Sequence, residues 1–185
     1  MEEEMSAKDQ DTNSAFRFPP SEFTHPVLFV GAGPGDPELI TVKGRNALAA
    51  ADLVVYAGSL VPEELLVWAQ PGTPAINSAS MPLDEIVAVM AEAQRNGKRV
   101  VRLHTGDPSL YGAVFEQMAA LRRLGIPSVV IPGVTAAFAA AAALGIEYTL
   151  PEVAQTLILT RVAGRTPVPA TENLAGLAAH RTSMA

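Results

Sequence analysis

Three loops rich in glycine and proline hold the residues whose types and spacing could do chemistry. The first, Gly31-Ala32-Gly33-Pro34-Gly35-Asp36-Pro37, follows the apolar run 27–30 and precedes a helical pattern that begins near Leu39. Gly31 and Gly33 open the dinucleotide fingerprint G-x-G-x-x-G, but its third position falls on Asp36, whose side chain obstructs the close helix-to-strand packing that glycine permits. The nucleotide reading therefore fails. Pro34 and Pro37 fix φ and remove amide donors, so this loop presents carbonyls and a shape rather than a phosphate nest. Asp52 lies at the distance of a ribose-binding acid, yet it precedes the run 53–56 instead of ending it and reads as a turn residue.

The second loop, His104-Thr105-Gly106-Asp107-Pro108-Ser109-Leu110-Tyr111-Gly112, and the third, Pro132-Gly133-Val134-Thr135, each follow a strand-like run. Asp36 and Asp107 are the titratable groups of these loops and the candidate catalytic pair, as bases for an acceptor proton. Each reads more readily as a helix cap or loop brace than as a catalyst. His104 ends a strand and reads as a hydrogen-bonded structural histidine. Cysteine is absent and the three histidines, His25, His104 and His180, lack metal-ligand spacing, so neither a thiolate site nor a metal enzyme is expected. Residues 1–24 carry a net charge of −4 and the remainder only −2, which gives no reason to expect a nucleic-acid surface.

Residues 1–24 are acidic and aperiodic, and read as a disordered tail without a secretory signal. The longest apolar tract, 134–144, is well short of the roughly 20 residues of a membrane span; no membrane partner and a cytoplasmic location are expected. From 25 onward, strands at 27–30, 53–56, 75–77, 98–103 and 128–131 alternate with helices at 39–51, 62–69, 82–95 and 113–124. That rhythm predicts an α/β fold with a mostly parallel sheet, and loops 31–37, 104–112 and 132–136 lining a ligand crevice at its carboxyl edge. The alanine-rich run 135–144 lacks a polar face and should be buried on most sides. After a linker at 148–152 come a strand at 155–161 and a helix near Glu172, too little to bury a core alone. The reading is an N-terminal domain over 25–150 and an incomplete second one over 151–185.

The segments V-G-A-G-P-G-D-P-E-L-I-T-V-K-G at 30–44, G-D-P-S-L-Y-G at 106–112 and P-G-V-T-A-A at 132–137 resemble, in order and spacing, the tetrapyrrole methylases. That family transfers methyl groups from S-adenosyl-L-methionine to corrin and sirohaem precursors, and the resemblance covers 26–185. The stretches at 54–61, 77–81 and 160–169 are most similar to the branch acting at C11 of precorrin-4 in cobalamin synthesis. The resemblance implies a parallel-sheet α/β domain followed by the start of a second, truncated α/β domain, with the methyl donor between them. Pro34, Thr105, Gly106, Asp107, Thr135 and Ala136 match the donor-binding positions. The donor's carboxylate, sulfonium and adenine call for backbone donors, carbonyls and an apolar slot, and Thr135-Ala136 would open a helix whose dipole favours the carboxylate.

The acceptor implied is a macrocycle bearing many carboxylates, with Arg161 and Arg165 as leading substrate-binding residues and Arg102 as a weaker one. Surface ion pairing is the other reading of Arg161 and Arg165. A homodimer at full length and no metal are implied as well. Two alternatives stand beside this reading: an inactive fragment of such an enzyme, and a methylase acting at C20 or C2.

Overall fold

The computed structural model describes residues 23, 25–164 and 166–185. Five strands, β1 (Val27–Gly31), β2 (Leu53–Tyr56), β3 (Ala75–Asn77), β4 (Val100–His104) and β5 (Ser128–Ile131), form one sheet in the order β3-β2-β4-β1-β5. Every pairing is parallel. The three inner strands are apolar at nearly every position because both faces are covered: all of β2 and β4 is buried, and in β1 only Leu28 is not. Alternation within each strand then separates two cores. Val27, Phe29, Val55 and Val100 meet Ile86, Val87 and Met90 of α2 (Leu83–Arg95) and Leu121 of α3 (Val114–Arg123). Val30, Val54, Val101 and Leu103 face the other way, onto Leu48 of α1 (Val42–Ala49) and Leu65.

This division places the topological switch point. The chain leaves β1 through α1 on one face and leaves the adjacent β4 through α3 on the opposite face, the arrangement that puts ligands at the carboxyl edge between two such strands.

Several elements depart from the sequence reading. The helix expected from Leu39 starts later: Pro37–Leu39 is a single 3-10 turn, Ile40 and Thr41 are extended, and α1 begins at Val42 with the Thr41 hydroxyl accepting from the Gly44 amide at 3.1 Å. The short helix expected at 62–69 is likewise 3-10, over Glu63–Trp68. The alanine-rich helix α4 (Ala136–Leu144) forms, but only Ala141 is buried, while Phe138 and Leu144 are 53% and 71% exposed. An apolar surface tolerates burial without supplying the layer that covers it, and here the sheet ends at β5. Of the strand expected at 155–161 only β6 (Leu157–Ile158) pairs, in parallel with β7 (Ser183–Met184), beside a short α5 (Leu174–Ala178) capped by Asn173. The expected tail at 1–24, Phe23 excepted, and Arg165 lie outside the described residues. Among the described residues, no helix is long and apolar enough to cross a membrane.

Core truncation and surface truncation should separate cleanly in this fold. Met90 is fully buried against the sheet, so Met90→Ala should destabilise the chain by about 2–5 kcal/mol in a denaturant titration. Phe115, 83% exposed on α3, should cost no more than about 0.5 kcal/mol when changed to alanine.

Candidate active site

Three glycines, one from each loop, meet backbone to backbone. A Cβ on Gly31 would lie 2.5 Å from the Gly133 Cα and 2.7 Å from the Gly106 carbonyl oxygen, and one on Gly133 would lie 2.1 Å from that same oxygen. No other residue fits either position. Around this contact, Gly33 and Gly106 exchange hydrogen bonds in both directions at 3.2 and 2.8 Å, and the Ala32 amide donates to the His104 carbonyl at 2.7 Å. One carboxylate oxygen of Asp107 accepts from the Gly133 amide at 2.9 Å, while the other accepts from the Ser109 amide and hydroxyl. Thr41 adds a hydroxyl donation to the Pro132 carbonyl at 3.3 Å.

The loops after β1, β4 and β5 are therefore one stitched wall. Sequence reading expected these loops to line a ligand crevice; the structure joins them through backbone into one continuous surface.

The wall assembles most of the expected donor-binding set. Gly106 holds φ at 59°, and the nearest atoms to a Cβ built on it are the Thr135 Cα at 3.8 Å and the Ala136 nitrogen at 3.9 Å. Thr135 caps α4, its hydroxyl accepting from the Ala137 amide at a long 3.4 Å, and Ala136 is the first helical residue. Gly106, Asp107, Thr135 and Ala136 thus share one corner, with Pro34 and Thr105 flanking the Gly33–Gly106 bridge. Asp36 stands apart: it is exposed and its carboxylate accepts from the Glu38 amide at 2.9 Å, as the cap of the 3-10 turn.

Arg161 arrives from the segment beyond β6. Its guanidinium lies 5.7 Å from the centre of the Tyr111 ring and donates to the carbonyls of Val162, Thr166 and Pro167. An acid partner, the surface reading, is not among these contacts. Arg102, the weaker substrate candidate, is corrected outright. Only 4% exposed beneath the sheet's α3 side, it donates to Gln117 Oε1 at 2.9 Å and to the Val55 carbonyl at 3.3 Å, where no macrocycle reaches.

Electrostatics separate the titratable groups by role. Partial burial pushes the Asp107 carboxyl up, but hydrogen bonds from Ser109 and Gly133 outweigh it and hold the group below its ordinary value. Of the two roles open to Asp107, the geometry supplies the brace; a carboxylate so engaged is a poor proton acceptor. His104 is buried with its ring stacked on Phe29, centroids 5.8 Å apart, and its Nε2 has no partner. Burial, with the charge of Arg102 adding to it, holds its pKa down to about 3, so the imidazole is neutral. Burial alone holds the Arg102 guanidinium down to about 10.

Sequence reading missed a second tie at this edge. Asn77, at the end of β3, accepts from the Gly58 and Ala79 amides at 3.2 and 3.0 Å, and Ser78 donates to the Tyr56 carbonyl at 3.0 Å. The Tyr56 hydroxyl donates to Glu63 at 2.9 Å. An asparagine at a strand's end, able to mimic a turn with its side chain, was the available signal. Among the described residues no cluster suits a metal ion. A cavity of about 710 Å³ opens between α2 and α3, floored by Val87, Ala91 and Ala120, away from all these loops.

The parallel α/β sheet carries its three joined loops at the switch-point edge, and Asp36 stands where the dinucleotide fingerprint needs its third glycine, so the domain is not of the dinucleotide-binding class. Residues 26–185 match the model of the Tetrapyrrole (Corrin/Porphyrin) Methylases, and the chain belongs to that family. It is 56% identical over 159 residues to a cobalt-precorrin-4 C(11)-methyltransferase of Methanocaldococcus jannaschii, covering 86% of this chain and 61% of that protein. A solved cobalt-precorrin-4 methyltransferase superposes with a TM-score of 0.82 at 51% identity, over 86% of this chain and 66% of that one. A uroporphyrin-III C-methyltransferase from Thermus thermophilus, solved with S-adenosyl homocysteine, gives 0.64 at 34% identity, over 79% and 60% of the two chains. The chain thus spans a little under two thirds of the relatives it matches.

Two measurements probe the wall. Gly133→Ala drives a Cβ into the Gly106 carbonyl and should destabilise the chain by about 3 kcal/mol or more in thermal or denaturant melts. Gly164→Ala, in open space, should melt like wild type. The neutral His104 sets a pH dependence. Its folded pKa lies below the unfolded value of about 6.5, so the unfolded chain binds the proton first. Stability is full above that pH and falls as pH drops toward 3, with a limiting slope of about 1.4 kcal/mol per pH unit. Urea midpoints measured from pH 7.5 to 4.5 should show this slope, and His104→Gln should flatten it.

Proposed function

We propose that this chain carries the donor wall of an S-adenosyl-L-methionine-dependent C-methyltransferase, acting at C11 of precorrin-4 or its cobalt form in cobalamin biosynthesis. The observation that carries the reading is the convergence of Gly106, Asp107, Thr135 and Ala136 at the start of α4. There the first-turn amides and the helix dipole suit a carboxylate, and Gly106 leaves the backbone open to a ligand. Higher identity to the precorrin-4 enzyme than to the uroporphyrin-III enzyme favours C11 over the other positions.

Methyl transfer from a sulfonium to carbon is an in-line displacement, and its rate rests on holding donor and acceptor at near-attack distance. The residues of this chain meet that need by rigidity. Asp107 clamps two loops, Pro34 stiffens the third, and Thr105, Gly106, Thr135 and Ala136 present backbone to the donor. Arg161 and Arg165 serve the acceptor's carboxylates. In this reading 25–150 is one domain, 151–185 begins a second, and the full-length protein is a cytoplasmic homodimer. The exposed Phe138, Leu144 and Ile146 supply apolar surface for such packing.

Calorimetry with S-adenosylhomocysteine should give saturable heat below millimolar ligand; its absence at millimolar concentration defeats the donor site. Incubation with precorrin-4 and methyl-labelled donor should give a new carbon-bound methyl at C11 by NMR, and a label at C20 or C2 would reassign the regiochemistry.

A further inference from the structure

Neighbouring loops at the carboxyl edge fall into two stitched blocks. Those after β1, β4 and β5 are joined through Gly31, Gly106, Gly133 and Asp107, and those after β2 and β3 through Asn77, Gly58 and Ser78. Strand order sets the blocks side by side at β2 and β4, where no hydrogen bond among the described residues joins 57–61 to 105–113. Among the described residues, that seam is the one junction between neighbouring loops on this edge without a hydrogen bond across it.

The backbone on the β4 side of the seam is held in an unfavourable shape. Tyr111 and Ala113 have φ of 57° and 46°, the left-handed region that residues with a Cβ disfavour. Gly112 between them is pressed on the Pro108 carbonyl oxygen, where a Cβ would lie at 2.4 Å. A glycine at 111 would remove the strain, yet a tyrosine stands there, 60% exposed. Strain held in a loop beside a binding site is where function is to be sought. Arg161 lies over the Tyr111 ring, and three of its contacts go to its own segment, which fixes the guanidinium while leaving other N–H donors without a partner among the described residues. With a fixed cation over one face of the ring, the exposed remainder of the aromatic surface matches a flat macrocycle, and the cation its rim carboxylates.

We infer that Tyr111 is an acceptor-specificity residue, offering the ring face not covered by Arg161 as the surface on which the tetrapyrrole lies at the seam, with the Arg161 guanidinium available to a rim carboxylate. The inference rests on the tetrapyrrole reading above, and names the residue that recognises the acceptor.

Tyr111→Gly tests it, because relief of strain and loss of the ring act in opposite directions. Uroporphyrin III serves as the probe, titrated by its absorbance, with S-adenosylhomocysteine calorimetry and thermal melts run in parallel. Tyr111→Gly should melt at or above the wild-type temperature, bind S-adenosylhomocysteine within twofold of wild type, and lose about tenfold in porphyrin affinity. Tyr111→Phe should keep porphyrin affinity within twofold. Unchanged porphyrin binding by Tyr111→Gly, an equal loss of both ligands, or an equal loss in Tyr111→Phe would each overturn the inference. So would a wild-type chain that binds S-adenosylhomocysteine but no porphyrin. A wild type that binds neither ligand defeats the methyltransferase reading itself.

Discussion

The candidate site depends on a contact that contains no side chain. The backbones of Gly31 and Gly133 press on each other and on the Gly106 carbonyl at distances that exclude a Cβ on either, and this is possible only because β1 lies between β4 and β5 in the sheet. Strand order brings the three loop origins side by side, and the glycines let them close. Once closed, amides and carbonyls come within reach of one another, which is why Gly33 and Gly106 pair and Asp107 finds the Gly133 amide. Buried backbone polar groups must be paired, and here the pairing between loops also builds the wall.

Such a surface suits a reaction governed by alignment. Where a proton must be moved, a group poised near neutral pH is valuable; where two carbons must be brought into line with a sulfonium, stiffness is worth more. The acids at this edge fit the second case. Asp107 spends both oxygens on neighbouring loops and Asp36 caps a turn.

The sequence made some of this legible and not the rest, for identifiable reasons. Parallel strands buried on both faces produce short apolar runs that alternate with helical periods, so the order of elements from 27 to 131 could be read, as could the three loops at one edge. That the glycines touch one another could not, because their partners lie about 27 to 102 residues away and glycine spacing reports only local freedom. Asp36 defeated the dinucleotide pattern correctly, yet its role as a cap depends on Pro37 starting a 3-10 turn, which composition does not distinguish from an early helix. The left-handed backbone at Tyr111 leaves no trace in sequence. The alanine run gave its helix but not its surroundings, since burial requires a neighbour and α4 has little among the described residues.

Beneath the second loop the structure keeps a feature that burial alone would remove. Arg102 and His104 occupy alternate positions of β4 on one face of the sheet, one a cation met by neutral acceptors and the other an imidazole with an orphaned nitrogen. Apolar residues of similar volume would fill this space at less desolvation cost. What the polar pair provides is a fixed geometry. The Arg102 guanidinium ties β4 to the Val55 carbonyl on β2 and to Gln117 on α3, and the stacked His104 ring ties it to Phe29 on β1. β4 is thereby pinned from three sides immediately before Thr105 and Gly106, and the loop leaves the sheet in one direction. The wall above is as rigid as the strand end that carries it, so the interior polar pair and the three-glycine contact act on the same loop from below and from the side.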